Sequence, residues 1–317
     1  MTAVAARRDG SAALRPGQRH ARRRELWAGL AFLSPWILGF AIFTVWPLIN
    51  SLYISLTDYD VVNDPTFVGT ANYEQLFADP KIATALSNTL WLALLQVPTH
   101  VVVALLLALL LNQAGRSSAF FRTLFYLPKM TPAVAIGVLF LLMFNGQEGV
   151  INQGLAAIGI DGPSWTTDAF WVKPGLVLMG LFSVGSAVII LLAALRGVPD
   201  ELLEAARLDG AGPVRRTLSV TVPLISPVLF FLVVINTIDS IQTFTEAYTA
   251  FGGAGRTAYG NEGALFYVVY LFQQGFEFFN MGFASAMAWV LFLVILVITG
   301  IQLLVSKRFV YYEAERA

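Results

Sequence analysis

The stretch "PDELLEAARLDGAGPVRRTLSVTVPLISP", Pro199–Pro227, lies between two strongly apolar runs and resembles neither. It carries Asp200, Glu201, Glu204 and Asp209 beside Arg207, Arg215 and Arg216, and is punctuated by prolines and by Gly210 and Gly212. Local rules read it as two short helices. Pro199 suits a first-turn position, where its missing N–H costs nothing. Asp200, Glu201 and Glu204 crowd the positive end of the first helix dipole. Leu202, Leu203, Ala205, Ala206 and Leu208 are good helix formers, and Gly210 can take the left-handed conformation that caps a helix C-terminus. Pro213 starts a second helix, and Pro223 and Pro227 mark the beginning of the next apolar run. Composition alone divides evenly between a plain connector and a docking surface.

The surroundings decide the fold class. The chain has 317 residues, 57% of them hydrophobic and 13% charged, with a mean hydropathy of +0.69. Soluble domains carry about 25% charged residues, so this chain needs a solvent other than water. A hydrocarbon layer about 30 Å thick takes about 20 apolar residues as helix. Runs that long, nearly free of charge, occur at Leu26–Thr57, Ile82–Gly115, Met130–Gln147, Pro174–Leu195, Thr217–Ile238 and Phe278–Ser306, the third lengthened by starting near Tyr126. The expectation is an all-α membrane protein with six transmembrane helices at about 27–52, 84–112, 126–146, 174–195, 222–247 and 280–305, and the charged loop at 196–221. Alternating barrel strands are absent from the pattern. "GALFYVVYLFQQGF", Gly263–Phe276, is apolar but short, which fits an interfacial or re-entrant segment better than a span.

Orientation follows from the placement of cations. Arg7, Arg8, Arg15, Arg19, Arg22, Arg23 and Arg24 precede the first run; Arg116 and Arg122 follow the second; Arg196, Arg207, Arg215 and Arg216 follow the fourth; Lys307, Arg308 and Arg316 follow the sixth. The other side has Lys81, Lys173 and Arg256 among many carboxylates. Both termini are therefore expected in the cytoplasm, with residues 1–25 as a flexible tail and 307–317 as a short one. The first run is too long for a signal peptide and reads as a retained anchor. Trp165 and Trp171 suggest an interfacial layer in the outer loop Glu148–Lys173.

The charged stretch resembles the EAA loop of permease subunits of binding-protein-dependent ABC importers. Glu204-Ala205-Ala206 is followed at the family's spacing by Gly210, and Val220, Val222 and Pro223 close the pattern with two conservative departures. "PWILGFAIFTVWPLINSLYISLTDYD", "FFRTLFYLPKMTPAVAIGVLFLLMFNGQEGVINQGL" and "FASAMAWVLFLVILVITGIQLLVSKRF" resemble the first, third and last spans of sugar permeases of the maltose and glycerol-3-phosphate type. The resemblance implies the type I importer permease fold. It makes the loop a coupling helix that docks in a cytoplasmic ATPase, through Glu204, Ala205, Ala206 and Gly210 and also Asp209. It further implies a second homologous permease, an ATPase dimer that binds ATP and magnesium, and an extracytoplasmic solute-binding protein, all in the inner or plasma membrane of a bacterium or archaeon. This chain would bind no cofactor itself, and no nucleic acid; its other contacts would be the sugar and membrane lipid.

The residues agree that chemistry lies elsewhere. There is no cysteine, and the histidines are His20 and His100, so thiolate and histidine-rich metal sites are excluded. No G-x-x-x-x-G-K-[ST] occurs; "GGAGRTAYG", Gly252–Gly260, lacks its lysine and reads as a flexible outer loop. No nucleophile or paired-carboxylate site emerges, so an enzyme is not expected. Polar groups at membrane depth face a cavity or another helix. Asn236, Asp239, Ser240, Thr243 and Glu246 recur every three or four residues and form one stripe on the fifth run, with Ser183 and Ser186 on the fourth. Counted from Pro223, Asn236 lies about 20 Å and Asp239 about 24 Å along the helix. These seven are the candidate solute pathway, with packing against a helix as the alternative; Gln96 and His100 are weaker candidates. With Lys129 and Lys173 read as lying at the edges, the pathway favours a neutral saccharide over glycerol 3-phosphate. A secondary transporter using Asp239 and Glu246 as ion sites is the reading from another class.

Overall fold

The computed structural model of the chain describes residues 16–252 and 262–311. Contacts divide it into two units, Met1–Ile54 and Ser55–Ala317. The first contains α1 (Pro16–Phe40), a π turn (Ala41–Val45) and most of α2 (Trp46–Ser55). Helix α1 thus begins inside the stretch expected as a tail; residues 1–15 lie outside the described residues. Trp27–Ser55 forms one apolar helical run of 29 residues, with Trp27, Phe32, Trp36 and Phe43 exposed. A helix apolar all round is stable in hydrocarbon, where its backbone is satisfied internally. The π turn ends two residues before Pro47, and Trp46 N–H reaches back to the Ala41 carbonyl. Pro47 has no N–H to donate, and its ring would press on the carbonyl four residues earlier; the wider turn relieves both problems.

The second unit opens with a short hairpin, β1 (Thr57–Asp58) antiparallel to β2 (Thr66–Phe67), with Thr57 opposite Phe67. Helix α3 (Ala71–Ala78) tucks under it, and Asn72 donates to the carbonyls of Ser55 and Thr57 at 2.9 and 2.8 Å. Asp79 caps α4 (Pro80–Gln113) by accepting from Lys81 N–H at 2.9 Å. Helix α4 is the central post. Its buried face of Val101, Ala104, Ala108 and Leu111 meets Val188 and Leu191 of a later helix (Gly185–Arg196) and Leu232 of another (Ser226–Ile241). The alanines bring backbones close, the usual means of packing helices that share a lipid solvent.

Three of the six expected spans are broken. Helix α5 (Ser118–Tyr126) runs into a tight turn at Leu127–Met130, and α6 (Ala133–Met143) leaves it at 96°. The expected helix 126–146 is therefore not continuous: Pro132 supplies no N–H to it, and α6 has 11 residues, about 16 Å of rise. Helix α7 (Val150–Ala157) lies in the following loop. There Trp165 is 8% exposed and donates its indole N–H to Asn152 at 2.8 Å. Helices α8 (Val172–Leu181) and α9 (Gly185–Arg196) meet at 51°. A Cβ at Gly185 would overlap the Phe125 carbonyl, so glycine is what lets α9 approach the end of α5.

Beyond α9 come α10 (Asp200–Leu208) and α11 (Pro213–Arg216), a π turn (Thr217–Thr221), α12 (Val222–Leu224) and α13 (Ser226–Ile241), with a 72° bend before α13. This π turn also ends two residues before a proline, Pro223. Helix α13 stops at Ile241, short of the expected 247, and α14 (Thr245–Ala247) is a separate turn. The short apolar segment forms α15 (Tyr267–Phe272), too short to span, with Tyr267, Val269 and Tyr270 buried against its neighbours. Its Tyr267 N–H donates to Thr89 of α4 at 2.9 Å, and the Tyr267 hydroxyl donates to the Met287 carbonyl of α16 (Met281–Phe309) at 3.0 Å. Among the described residues, three helices are long and apolar enough to cross a membrane, or up to six if each bent pair is one span.

Candidate functional site

Two features stand out. The first is a cavity of about 650 Å³ enclosed by α4, the turn before α6, the broken α8–α9 pair and α13. Ser183, Ser186, Asn236, Asp239, Ser240, Thr243 and Glu246 all line it. Beside the stripe, α13 packs on α16, where Gln302 donates to the Thr237 hydroxyl at 2.8 Å. The stripe itself lines the cavity and also packs on α4 through the buried Ser240.

Several stripe groups donate to their own helix, Asn236 to the Leu232 carbonyl at 2.8 Å and Thr243 to that of Asp239 at 3.4 Å. Ser183 donates to the Gly180 carbonyl at 3.1 Å, across the break between α8 and α9. Such back-bonds hold a polar side chain in place and leave its acceptor capacity for another group.

The structure corrects one placement. Lys129 lines the cavity together with Gln96, His100 and Thr131, so the lining holds a cation that hydropathy put at the edge. The turn at Leu127–Met130 is what carries it inward. Lys173 instead stands over the Trp91 ring at 5.2 Å. The lining is therefore mixed, two carboxylates and an ammonium among amides and hydroxyls. Phe244, the ring that the sequence offers to a sugar's C–H surface, also lines it, as does Thr245, which follows the end of α13, where helical spacing no longer applies. Among the described residues no cluster of His, Asp and Glu could hold a metal ion.

The second feature is the loop α10–α11. Pro199 is the N-cap, with ψ at 130°, and Asp200 is the first helical residue, one position later than expected. Gly210 has φ at +80°. Its N–H donates to the Arg207 carbonyl at 3.0 Å, and Ala211 N–H to that of Ala206 at 2.9 Å. This paired arrangement is the Schellman cap. No residue of α10 is buried. Leu208 is 89% and Val214 71% exposed, and Glu204, Ala205, Asp209 and Gly210 are exposed, with Ala206 half-buried. An apolar ridge presented this way on a charged loop is a surface suited to a partner.

A polar cavity between broken helices, with an exposed helical pair joining its two main walls, defines a membrane transport component rather than an enzyme. Residues 67–311 match the family described as binding-protein-dependent transport system inner membrane component, and the chain belongs to that family. It is thus a multi-pass membrane protein. It is 40% identical over 299 residues to the probable ABC transporter permease protein YesP of Bacillus subtilis (strain 168), covering 92% of this chain and 94% of that one. It is 33% identical to the lactose transport system permease protein LacF of Rhizobium radiobacter, covering 88% and 94%. The fold is also that of a bacterial alginate ABC transporter solved with an alginate pentasaccharide-bound periplasmic protein, with a TM-score of 0.76 at 24% identity, covering 90% of this chain and 96% of that one.

Proposed function

We propose that the chain is one permease subunit of an ATP-driven importer of a sugar or oligosaccharide, and that its cavity is half of the solute pathway. The observation that carries this is the cavity itself: seven polar residues from the two helical systems flanking α10–α11 converge on one space of about 650 Å³. That lies within the range of about 300–1,000 Å³ typical of small-molecule sites. Hydroxyls, amides and carboxylates suit a polyol, and Phe244 offers a ring to a sugar's C–H face; with Lys129 in it, the lining no longer favours a neutral solute over an anionic one. The relatives' named cargo agrees, lactose for LacF.

In this reading the loop α10–α11 docks on a cytoplasmic ATPase subunit, which holds ATP and magnesium. A second permease supplies the other half of the pathway, and an external binding protein delivers the solute. ATP must bind the states of the complex differently to drive the change; the loop transmits that difference to α9, and through the π turn and α12 to α13. The test is uptake of a labelled saccharide panel by the reconstituted complex. Uptake should require ATP and persist with an uncoupler present. Uptake that collapses with the uncoupler while ATP remains would instead support ion coupling through Asp239 and Glu246.

A further inference from the structure

Gln96 stands on α4 where three elements meet. Its carboxamide oxygen accepts a hydrogen bond from the Ser240 hydroxyl of α13 at 3.3 Å. Its nitrogen occupies the space that a side chain at Gly180 would take: a Cβ there would lie 2.8 Å from Gln96 Nε2, and its nearest neighbours would all be atoms of Gln96. Gln96, Gly180 and Ser240 all line the cavity. The long bond from Ser240 turns the carboxamide oxygen toward α13, and the missing side chain of Gly180 leaves room for the nitrogen on the other side.

The direction of the oxygen sets that of the nitrogen. The two N–H donors of Gln96 make no hydrogen bond to protein among the described residues. Unpaired donors at membrane depth are costly unless water or a ligand accepts from them. We propose that Gln96 is a specificity-determining residue that donates to a hydroxyl oxygen of the transported solute, with Ser240 and Gly180 as its positioning residues. The proposal rests on the reading of the cavity as a sugar pathway. It adds a donor from α4 facing the same space as the stripe of α13, so that a polyol is held from two sides. It also gives Gly180 a purpose other than flexibility.

The test uses the intact transporter in proteoliposomes, this chain with its partner permease, ATPase and binding protein. Maximal rates of ATP-driven uptake are compared across labelled lactose, arabinotriose, maltotriose and digalacturonate. Gln96→Ala and Gly180→Ala should each shift the ratios between transported saccharides by roughly three- to tenfold, the worth of one hydrogen bond. Gly180→Ala should add much less in a Gln96→Ala background than in the unaltered chain, because the protein atoms nearest its Cβ are those of Gln96. Equal losses for every saccharide, or additive losses in the double variant, would overturn the role and leave Gln96 a packing residue. Failure of the unaltered transporter to take up any saccharide would overturn the sugar pathway itself, and with it the assignment.

Discussion

Substitution of Gly210 separates backbone geometry from docking. Its φ of +80° is left-handed, a conformation that costs an ordinary L-residue about 1–2 kcal/mol. That corresponds to roughly a five- to thirtyfold loss in the population of the capped loop. A Cβ built at Gly210 meets nothing within 4 Å, so no steric term inside the chain adds to this figure. Asn tolerates the left-handed region better than Ala, and a β-branched residue tolerates it worst. If the cap alone matters, affinity for the ATPase subunit should fall in the order Gly, Asn, Ala, Val, by up to about thirtyfold. If Gly210 also touches the partner, Asn should lose more than the backbone term allows, because its side chain enters the interface. The assay is co-purification of the ATPase from detergent-solubilised membranes, with ATP-driven uptake measured in parallel and membrane insertion checked by protease accessibility. A Gly210→Val variant that retains full ATPase association and uptake would refute both the cap and the docking argument.

Other outcomes follow from the same geometry. Leu208→Glu places a charge on an 89% exposed ridge; insertion and stability should be unchanged within about 0.5 kcal/mol, while ATPase association, measured by co-purification, should drop. Asp239→Ala and Asn236→Ala should change the rate or selectivity of saccharide uptake, and unchanged values for both would make the stripe structural. Gly185→Leu drives a side chain into the Phe125 carbonyl and should cost about 1–3 kcal/mol or more, seen as a lower melting temperature of the purified complex.

Much of the architecture is written in local chemistry. The cap at Gly210 is legible because few residues other than glycine adopt that conformation, and the polar stripe because spacing of three and four residues selects one helix face. The bends are a different matter. Hydropathy over 126–146 describes solubility in lipid and is blind to direction, so the 96° turn passes unseen although Pro132 marks its place. Lys129 was misplaced for the same reason: a charge at the end of an apolar run reads as a snorkelling anchor, and only the turn brings it to the cavity. Gln96 depends on partners 84 and 144 residues away in sequence, Gly180 and Ser240. No local pattern encodes such a meeting. The stretch Gly253–Asn261, which holds most of the glycine-rich outer loop, lies outside the described residues.

The π turn at Thr217–Thr221 has a consequence for how the two halves of the loop system are clocked. Val222 N–H reaches the Thr217 carbonyl, five residues back, so this turn takes up one residue more than an α turn. One residue of helix is about 100° of rotation. Pro223, which disfavours the tighter turn, therefore sets the azimuth of α10–α11 about the axis of the helix that follows. Replacing it with alanine removes the obstacle to ordinary α geometry. Because α10 and α11 both pack on that turn, the exposed ridge of Leu208 would then be presented at a different angle, set by a single ring more than ten residues away.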